Sequence, residues 1–389
     1  ALLTNQGGGN FTSSLLVQDG TTPSSLLFTD FDGDGRLDLL AGMTRPTTSF
    51  AVFVGRDGGE FNAGSLFDLA STSIDLVAGD FNGDAAPDVV SVPFSTSAVS
   101  FFANEQLSGR TLRFSAPNIL STNTNRPHTG VVGDFDLDGD LDVLTGNNFD
   151  GVMGRFENQG NSEFLYSAAP SRLLFFMAAS DFDLDGDLDL AAVITSSVVL
   201  LLNDGEGNFP EAEDLSVSDA FQLTNADLTG DGADEVIAAR NGANAVGVLV
   251  NRRDGTFEEV VNYNVGSNPL AVAAGDIDAD GDLDVASANE RSGSVSILLN
   301  DGTGILTLVD NFPLSGAPRY VVAADFDSDG FDDFATANSA LRQVSVLWSD
   351  GTGGIEATGN FDVFQEPYSL TIADLNVDGF PEIMTIDEN

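Results

Sequence analysis

The 389-residue sequence predicts an all-β fold, an eight-bladed β-propeller of four-stranded blades, on three observations. A nine-residue acidic segment recurs eight times. Its copies start 50, 54, 47, 46, 49, 49 and 49 residues apart, a period in the range of propeller blades. Apolar runs of strand length flank the copies, and no window of helical periodicity competes with them.

The copies read DFDGDGRLD from Asp30, DFNGDAAPD from Asp80, DFDLDGDLD from Asp134 and again from Asp181, DLTGDGADE from Asp227, DIDADGDLD from Asp276, DFDSDGFDD from Asp325 and DLNVDGFPE from Asp374. Crowded carboxylates repel, each pair by about 1 kcal/mol in water and by more where water is excluded. A hard divalent cation reverses the sign of that effect. Calcium takes about six to eight oxygen ligands, and a short loop that curls around the ion supplies them from alternate positions. Glycine at position 6 permits the sharp turn. Magnesium holds its waters too firmly for so flexible a loop, so calcium, up to eight ions, is the predicted cofactor.

On this reading positions 1, 3, 5 and 9 donate side-chain oxygens and position 7 its backbone carbonyl. The predicted ligands of the first loop are Asp30, Asp32, Asp34 and Asp38 with the carbonyl of Arg36, and of the second Asp80, Asn82, Asp84 and Asp88. The third has Asp134, Asp136, Asp138 and Asp142 with Asp140, and the fourth Asp181, Asp183, Asp185 and Asp189 with Asp187. The fifth has Asp227, Thr229, Asp231 and Glu235, and the sixth Asp276, Asp278, Asp280 and Asp284 with Asp282. The seventh has Asp325, Asp327, Asp329 and Asp333 with Phe331, and the eighth Asp374, Asn376, Asp378 and Glu382 with Phe380. Asn82 and Ala85 weaken the second loop, Thr229 the fifth and Asn376 the eighth. The second is the loop expected to be empty. In the fully carboxylate third loop, Asp136→Ala is expected to cost more stability in calcium than Asn82→Ala does in the second. Solvated Asp-Gly hairpin turns are the alternative; they explain one copy, but not eight in matched phase.

Each loop joins the first two strands of a blade. Around Asp276, an apolar run at 270–274 enters the loop, 285–288 leaves it, and 295–299 leads to a Gly-rich hairpin. Such hairpins fall near Gly7, Gly58, Gly109, Gly160, Gly205, Gly255, Gly302 and Gly351, eight for eight loops. The first hairpin precedes the first loop, and no hairpin follows the last loop. Residues 1–20 are therefore expected to pair with 367–389 and close the ring, making 1–389 a single propeller. The apolar residues at position 2 of each loop (Phe31, Phe81, Phe135, Phe182, Leu228, Ile277, Phe326, Leu375), with Phe11, Phe61, Phe114, Phe164, Phe209 and Phe257 at the hairpin ends, should fill the spaces between blades. The single Trp, Trp348, aligns with Leu202 and Leu299 and reads as core rather than as a sugar platform.

The D-x-D-x-D-G-x-x-D segments between strands 1 and 2, with G-x-G-x-F-like turns between strands 3 and 4, resemble the FG-GAP or VCBS repeat of integrin-α-like calcium-binding propellers over nearly the whole chain. The resemblance implies the propeller fold and calcium binding. Integrin-like relatives usually have about seven blades, which leaves seven as the alternative to the counted eight. For function it is less specific, since the family includes adhesion ectodomains, lectins and domains of polysaccharide lyases.

The formal charge is −47, from 61 acidic and 14 basic residues, and every basic residue is Arg. Such a polyanion avoids nucleic acid and anionic membrane surfaces, and its natural small partner is a cation. The eight loops hold 32 Asp, so most of the acidity is local rather than the even acidity of a salt-adapted surface. No Cys is present for disulfides or thiolate metal sites. No apolar run reaches the length of a membrane span, so no membrane insertion is expected. The chain starts inside a repeat, so any leader is expected to have been removed or left out.

The metal loops and the 3-to-4 hairpins share one face of the disc, and the opposite face varies more among repeats. Six residues before each loop the series runs Ser24, Ile74, His128, Phe175, Phe221, Leu270, Arg319, Tyr368. His128, Arg319, Tyr320 and Tyr368 are the candidate ligand residues there. Seven of the 14 Arg fall on the same face: Arg45, Arg126, Arg172, Arg240, Arg291, Arg319 and Arg342. With a single His and no Cys, no catalytic constellation is legible, and the chain is not expected to be an enzyme. Three readings compete. The leading one is a secreted or cell-surface binding and adhesion module for a protein or glycan. The second is a lectin or lyase-like domain for acidic polysaccharide, using Arg319, Tyr320 and Tyr368. The third is a structural subunit that stacks head to tail, its Arg face on the acidic face of the next copy.

Overall fold

The computed structural model describes residues 1–16, 23–43, 48–69, 71–93, 96–105, 112–121, 127–147, 149, 151–160, 162–170, 173–195, 197–210 and 212–388. They form eight four-stranded antiparallel sheets. Blade one consists of Pro23–Thr29, Asp38–Met43, Ser49–Phe53 and Ser65–Asp68, hydrogen-bonded in that order. Blades two to seven repeat it, beginning at Ser73, Pro127, Leu174, Ala220, Pro269 and Pro318. Blade eight is built from both ends of the chain: Glu366–Ala373 and Glu382–Glu388 pair with Leu2–Asn5, which pairs with Phe11–Ser14.

That closure has a defined register, Leu2 opposite Met384 and Leu3 opposite Ile383. The Ala1 amino group donates to the Thr385 carbonyl at 3.2 Å and lies 3.3 Å from the Asp387 carboxylate. The fold is therefore eight-bladed, as counted from the loops, and not seven-bladed. The hairpin expected near Gly109 lies outside the described residues.

Eight apolar clusters occupy the eight junctions between blades. Each contains one of the position-2 residues, as in the junction of blades one and two, where Phe31 packs with Leu40, Phe50, Val52, Phe102 and Phe114. Second strands such as Asp38–Met43 and Asp284–Asn289 are buried at all six positions, which places apolar side chains against the blade on either side. Trp348 packs in the junction of blades seven and eight, edge-on to Phe361. The small residue before each loop also has a steric cause: a Cβ on Gly79 or Gly133 would meet the Leu141 or Leu188 side chain of the following blade. No helix in the described residues is long and apolar enough to cross a membrane.

Candidate functional site

Every acidic loop has the same three carboxylate–amide bonds. The position-1 carboxylate accepts the N–H of position 6. The position-5 carboxylate accepts the N–H of position 7. The position-9 carboxylate accepts the N–H of position 2. One oxygen of each of these carboxylates thus folds the loop.

Carboxylates of positions 1, 3 and 9 converge within 4.8 Å in four loops: Asp30, Asp32 and Asp38; Asp181, Asp183 and Asp189; Asp276, Asp278 and Asp284; Asp325, Asp327 and Asp333. In the third loop Asp134, Asp136 and Asp138 converge instead. Buried Asp134 Oδ1, Asp136 Oδ1, Asp187 Oδ1 and Asp276 Oδ1 have no hydrogen-bond partner. In the fourth and sixth loops, an all-oxygen donor set with an orphaned buried oxygen, of Asp187 or Asp276, fits a hard divalent cation. Position 5, placed by sequence among the side-chain ligands, stands outside the converging set in four of these five loops, its carboxylate turned to the amide of position 7.

The second oxygen of position 9 reaches the end of the third strand, as Asp88 does to the Asn104 N–H at 2.7 Å and Asp284 to the Asn300 N–H at 2.8 Å. Burial raises these carboxyls despite the amide bonds, Asp38 from 3.8 to about 6 and Asp284 and Asp333 to about 7. A carboxyl raised in the fold favours the folded state below its unfolded pKa and loses that contribution as pH climbs through the folded value. In chelator, the melting temperature is therefore expected to fall between about pH 4 and pH 7. Thermal melts across that range test this; a rise would contradict it.

Sequence reasoning missed an Asn at the end of the third strand. The Asn104 amide donates to the Phe31 carbonyl in the neighbouring blade's loop and to the Pro87 carbonyl in its own. Asn158, Asn203, Asn251, Asn300 and Asn5 make the same two bonds, and Ser349 reaches the Ile277 carbonyl. Gly55 leaves the junction of blades eight and one without this side-chain link. The signal was present as Asn before the Gly-rich hairpin, in NQG, NDG and NRRDG.

Position 7 enters the predicted ligand set only through its backbone carbonyl, and its side chain packs elsewhere. Asp187 is buried, raised from 3.8 to about 6 by burial and its neighbouring carboxylates, and it leans on the hairpin at Gly205. Asp140 leans on Gly160 in the same way, Phe331 on Gly351 and Phe380 on Gly7.

On the opposite face each first strand carries one β-bulge. The residues passed over by the pairing are 24, 74, 128, 175, 221, 270, 319 and 368, the whole of the series that varies among repeats. A bulge releases a side chain from the ladder and re-aims it. Five of the eight (Ser24, Phe221, Leu270, Arg319, Tyr368) line an axial pocket of about 600 Å³, together with Tyr320, Phe176, Asp75, Glu290, Asn241 and Asn268. Phe176, Phe221 and Tyr368 are exposed there, and the first two rings lie 6.3 Å apart. Arg319 pairs with Glu290 at 3.2 Å and lies 5.8 Å from the Tyr368 ring centroid. His128 sits beside Phe175 rather than in the pocket wall, and burial lowers its pKa.

Arg45, Arg126 and Arg172 lie outside the described residues. Of the other four Arg assigned to this face, Arg319 is paired as above, Arg342 lies 4.0 Å from Glu366, and Arg240 is bonded to Ser218 and Asn262. Two of these Arg, Arg319 and Arg342, thus have a carboxylate of the same chain beside them, while Arg240 is held by neutral partners.

The FG-GAP-like repeat profile matches residues 80–145, 227–287, 276–336 and 325–385, more than half of the chain. No curated protein matches it. Solved structures similar in fold include an Agrocybe aegerita lectin described as recognising non-reducing terminal N-acetylglucosamine, with 17% identity and a TM-score of 0.52 over 100% of this chain and 99% of that one. BBS1N in complex with ARL6DN is similar at 11% identity and a TM-score of 0.52, over 100% of this chain and 97% of that one. A functionally unknown protein from Desulfotomaculum acetoxidans is similar at 14% identity and a TM-score of 0.51, over 88% of this chain and 96% of that one. At these identities the likeness is one of fold.

Proposed function

We propose a binding function, on the premise that the chain belongs to the FG-GAP-like repeat family. The disc is an extracellular module whose acidic loops hold calcium and whose axial pocket, on the opposite face, takes a neutral glycan. Asp, Asn, Thr and Glu side chains at positions 1, 3 and 9 hold the ion, with the position-7 carbonyl. When bound, calcium neutralises the crowded carboxylates and stiffens the loop face; the chain's own residues bind the ligand.

The observation that carries the reading is the collar of bulged side chains around the pocket of about 600 Å³, a size usual for small-ligand sites. Exposed Phe176, Phe221 and Tyr368 offer ring faces to the apolar side of a sugar, while Asn241 and Asn268 offer amides to its hydroxyls. Asp75 and Glu290 in the wall oppose an acidic ligand, and Glu290 already engages the Arg319 guanidinium. This favours a neutral glycan over the acidic polysaccharide. The lectin of similar fold is consistent with the reading, although fold alone does not assign a ligand.

Calorimetric titration with a panel of neutral and acidic oligosaccharides in calcium tests it. A neutral sugar should bind, and Tyr368→Ala should weaken it by about tenfold with the melt unchanged. Binding confined to acidic sugars, or indifference to Tyr368→Ala, would overturn the assignment.

A further inference from the structure

The third and fourth loops are the same nonapeptide, DFDLDGDLD, yet they converge differently. Asp181, Asp183 and Asp189, at positions 1, 3 and 9, come together in the fourth; Asp134, Asp136 and Asp138, at positions 1, 3 and 5, do so in the third. Identical loop sequences cannot cause the difference, so the cause lies in what packs on the loop.

One candidate stands out in the strand pairing. Three residues before the end-of-strand Asn, or its Ser or Gly counterpart, the third strands carry Leu2, Val52, Phe101, Leu200, Val248, Ile297 and Val346 in seven blades. All seven are buried apolar residues. Blade three has Arg155 at this position, opposite Leu144. Its side chain is 7% exposed, its Nη2 is 3.2 Å from Asp136 Oδ2 and 3.0 Å from Glu157 Oε2, and its Nη1 donates to Asn208 Oδ1 at 3.2 Å. The hairpin of blade four closes over the guanidinium at Gly207, where any Cβ would collide with it.

We propose that Arg155 is the built-in counter-cation of the third loop, and that this loop, with as many carboxylates as any, is the one that does not take calcium at concentrations that fill the fourth. A guanidinium stays charged at every accessible pH and binds a carboxylate without dehydration of a metal ion. A divalent ion on Asp134 and Asp136 would share the Asp136 carboxylate with this fixed positive charge, in a site shielded from water where repulsion is little screened. Removing the guanidinium would free Asp136 Oδ2 beside Asp134 Oδ1 and Asp136 Oδ1, which have no hydrogen-bond partner, and leave the carboxylate set complete. The junction of blades three and four is thereby held independently of calcium, while loop four next to it is not; the loss that the sequence led us to expect from Asp136→Ala in calcium becomes loss of the Arg155 ion pair, equal in chelator.

Calcium stoichiometry of the whole chain, by titration after chelation, provides the test. Arg155→Leu, which installs the residue blade four carries, is expected to bind one calcium more per chain than the parent. An unchanged count in a folded Arg155→Leu protein overturns the proposal. Should that variant fail to fold, Asp134→Asn and Asp181→Asn decide it in the parent background. Loss of one calcium with Asp181→Asn but none with Asp134→Asn supports the assignment, and equal effects of the two refute it.

Discussion

Stripping calcium with excess chelator is expected to lower the melting temperature by roughly 10 °C. A loop that binds calcium at about ten times its dissociation constant adds about 1.4 kcal/mol to stability by linkage. The four loops whose positions 1, 3 and 9 converge therefore contribute about 6 kcal/mol, a large share of a typical domain's stability. The loss also has a direct electrostatic cause, because metal-free loops keep several carboxylates within 4.8 Å of one another. Melts in chelator and in millimolar calcium make the comparison, with elemental analysis confirming removal. An unchanged melting temperature would reduce the loops to turns closed by their own amide bonds.

The sequence made the blade count legible because the loop and hairpin signals recur independently and agree. Ring closure followed from their order along the chain, and Leu2 opposite Met384 shows it in register. The variable series was legible as variation, but its cause was not. A bulge is a property of pairing between two strands, and nothing local distinguishes Phe175 from Phe176 until Leu174 and Phe176 are seen on successive partners, Ile194 and Val193. Arg155 was hidden for a related reason. In strand three of one repeat it reads as an ordinary polar residue, and only alignment through the third-strand Asn shows it at a position where the other seven blades are apolar. The inter-blade Asn was missed because its acceptors, such as the Phe182 carbonyl for Asn251, are backbone atoms 69 positions away.

Those Asn residues and the position-9 carboxylates should matter whether or not metal is present, which separates them from the position-3 ligands. Asp284→Ala would orphan two buried amides, the N–H of Ile277 and the N–H of Asn300, and is expected to cost about 3 kcal/mol even in chelator. Asn300→Ala would leave the Leu228 and Leu283 carbonyls without their side-chain donor, for about 2 kcal/mol, again with or without calcium. Asp278→Asn removes charge from position 3 while keeping the shape of the side chain, and its burial and neighbouring carboxylates already disfavour the ionised form. In chelator it should therefore be neutral or mildly stabilising, and destabilising only when calcium is supplied. Denaturant unfolding of the three variants in both conditions gives six values to compare. If Asn300→Ala and Asp284→Ala lost stability only in calcium, the inter-blade bonds would be a consequence of metal binding rather than its scaffold.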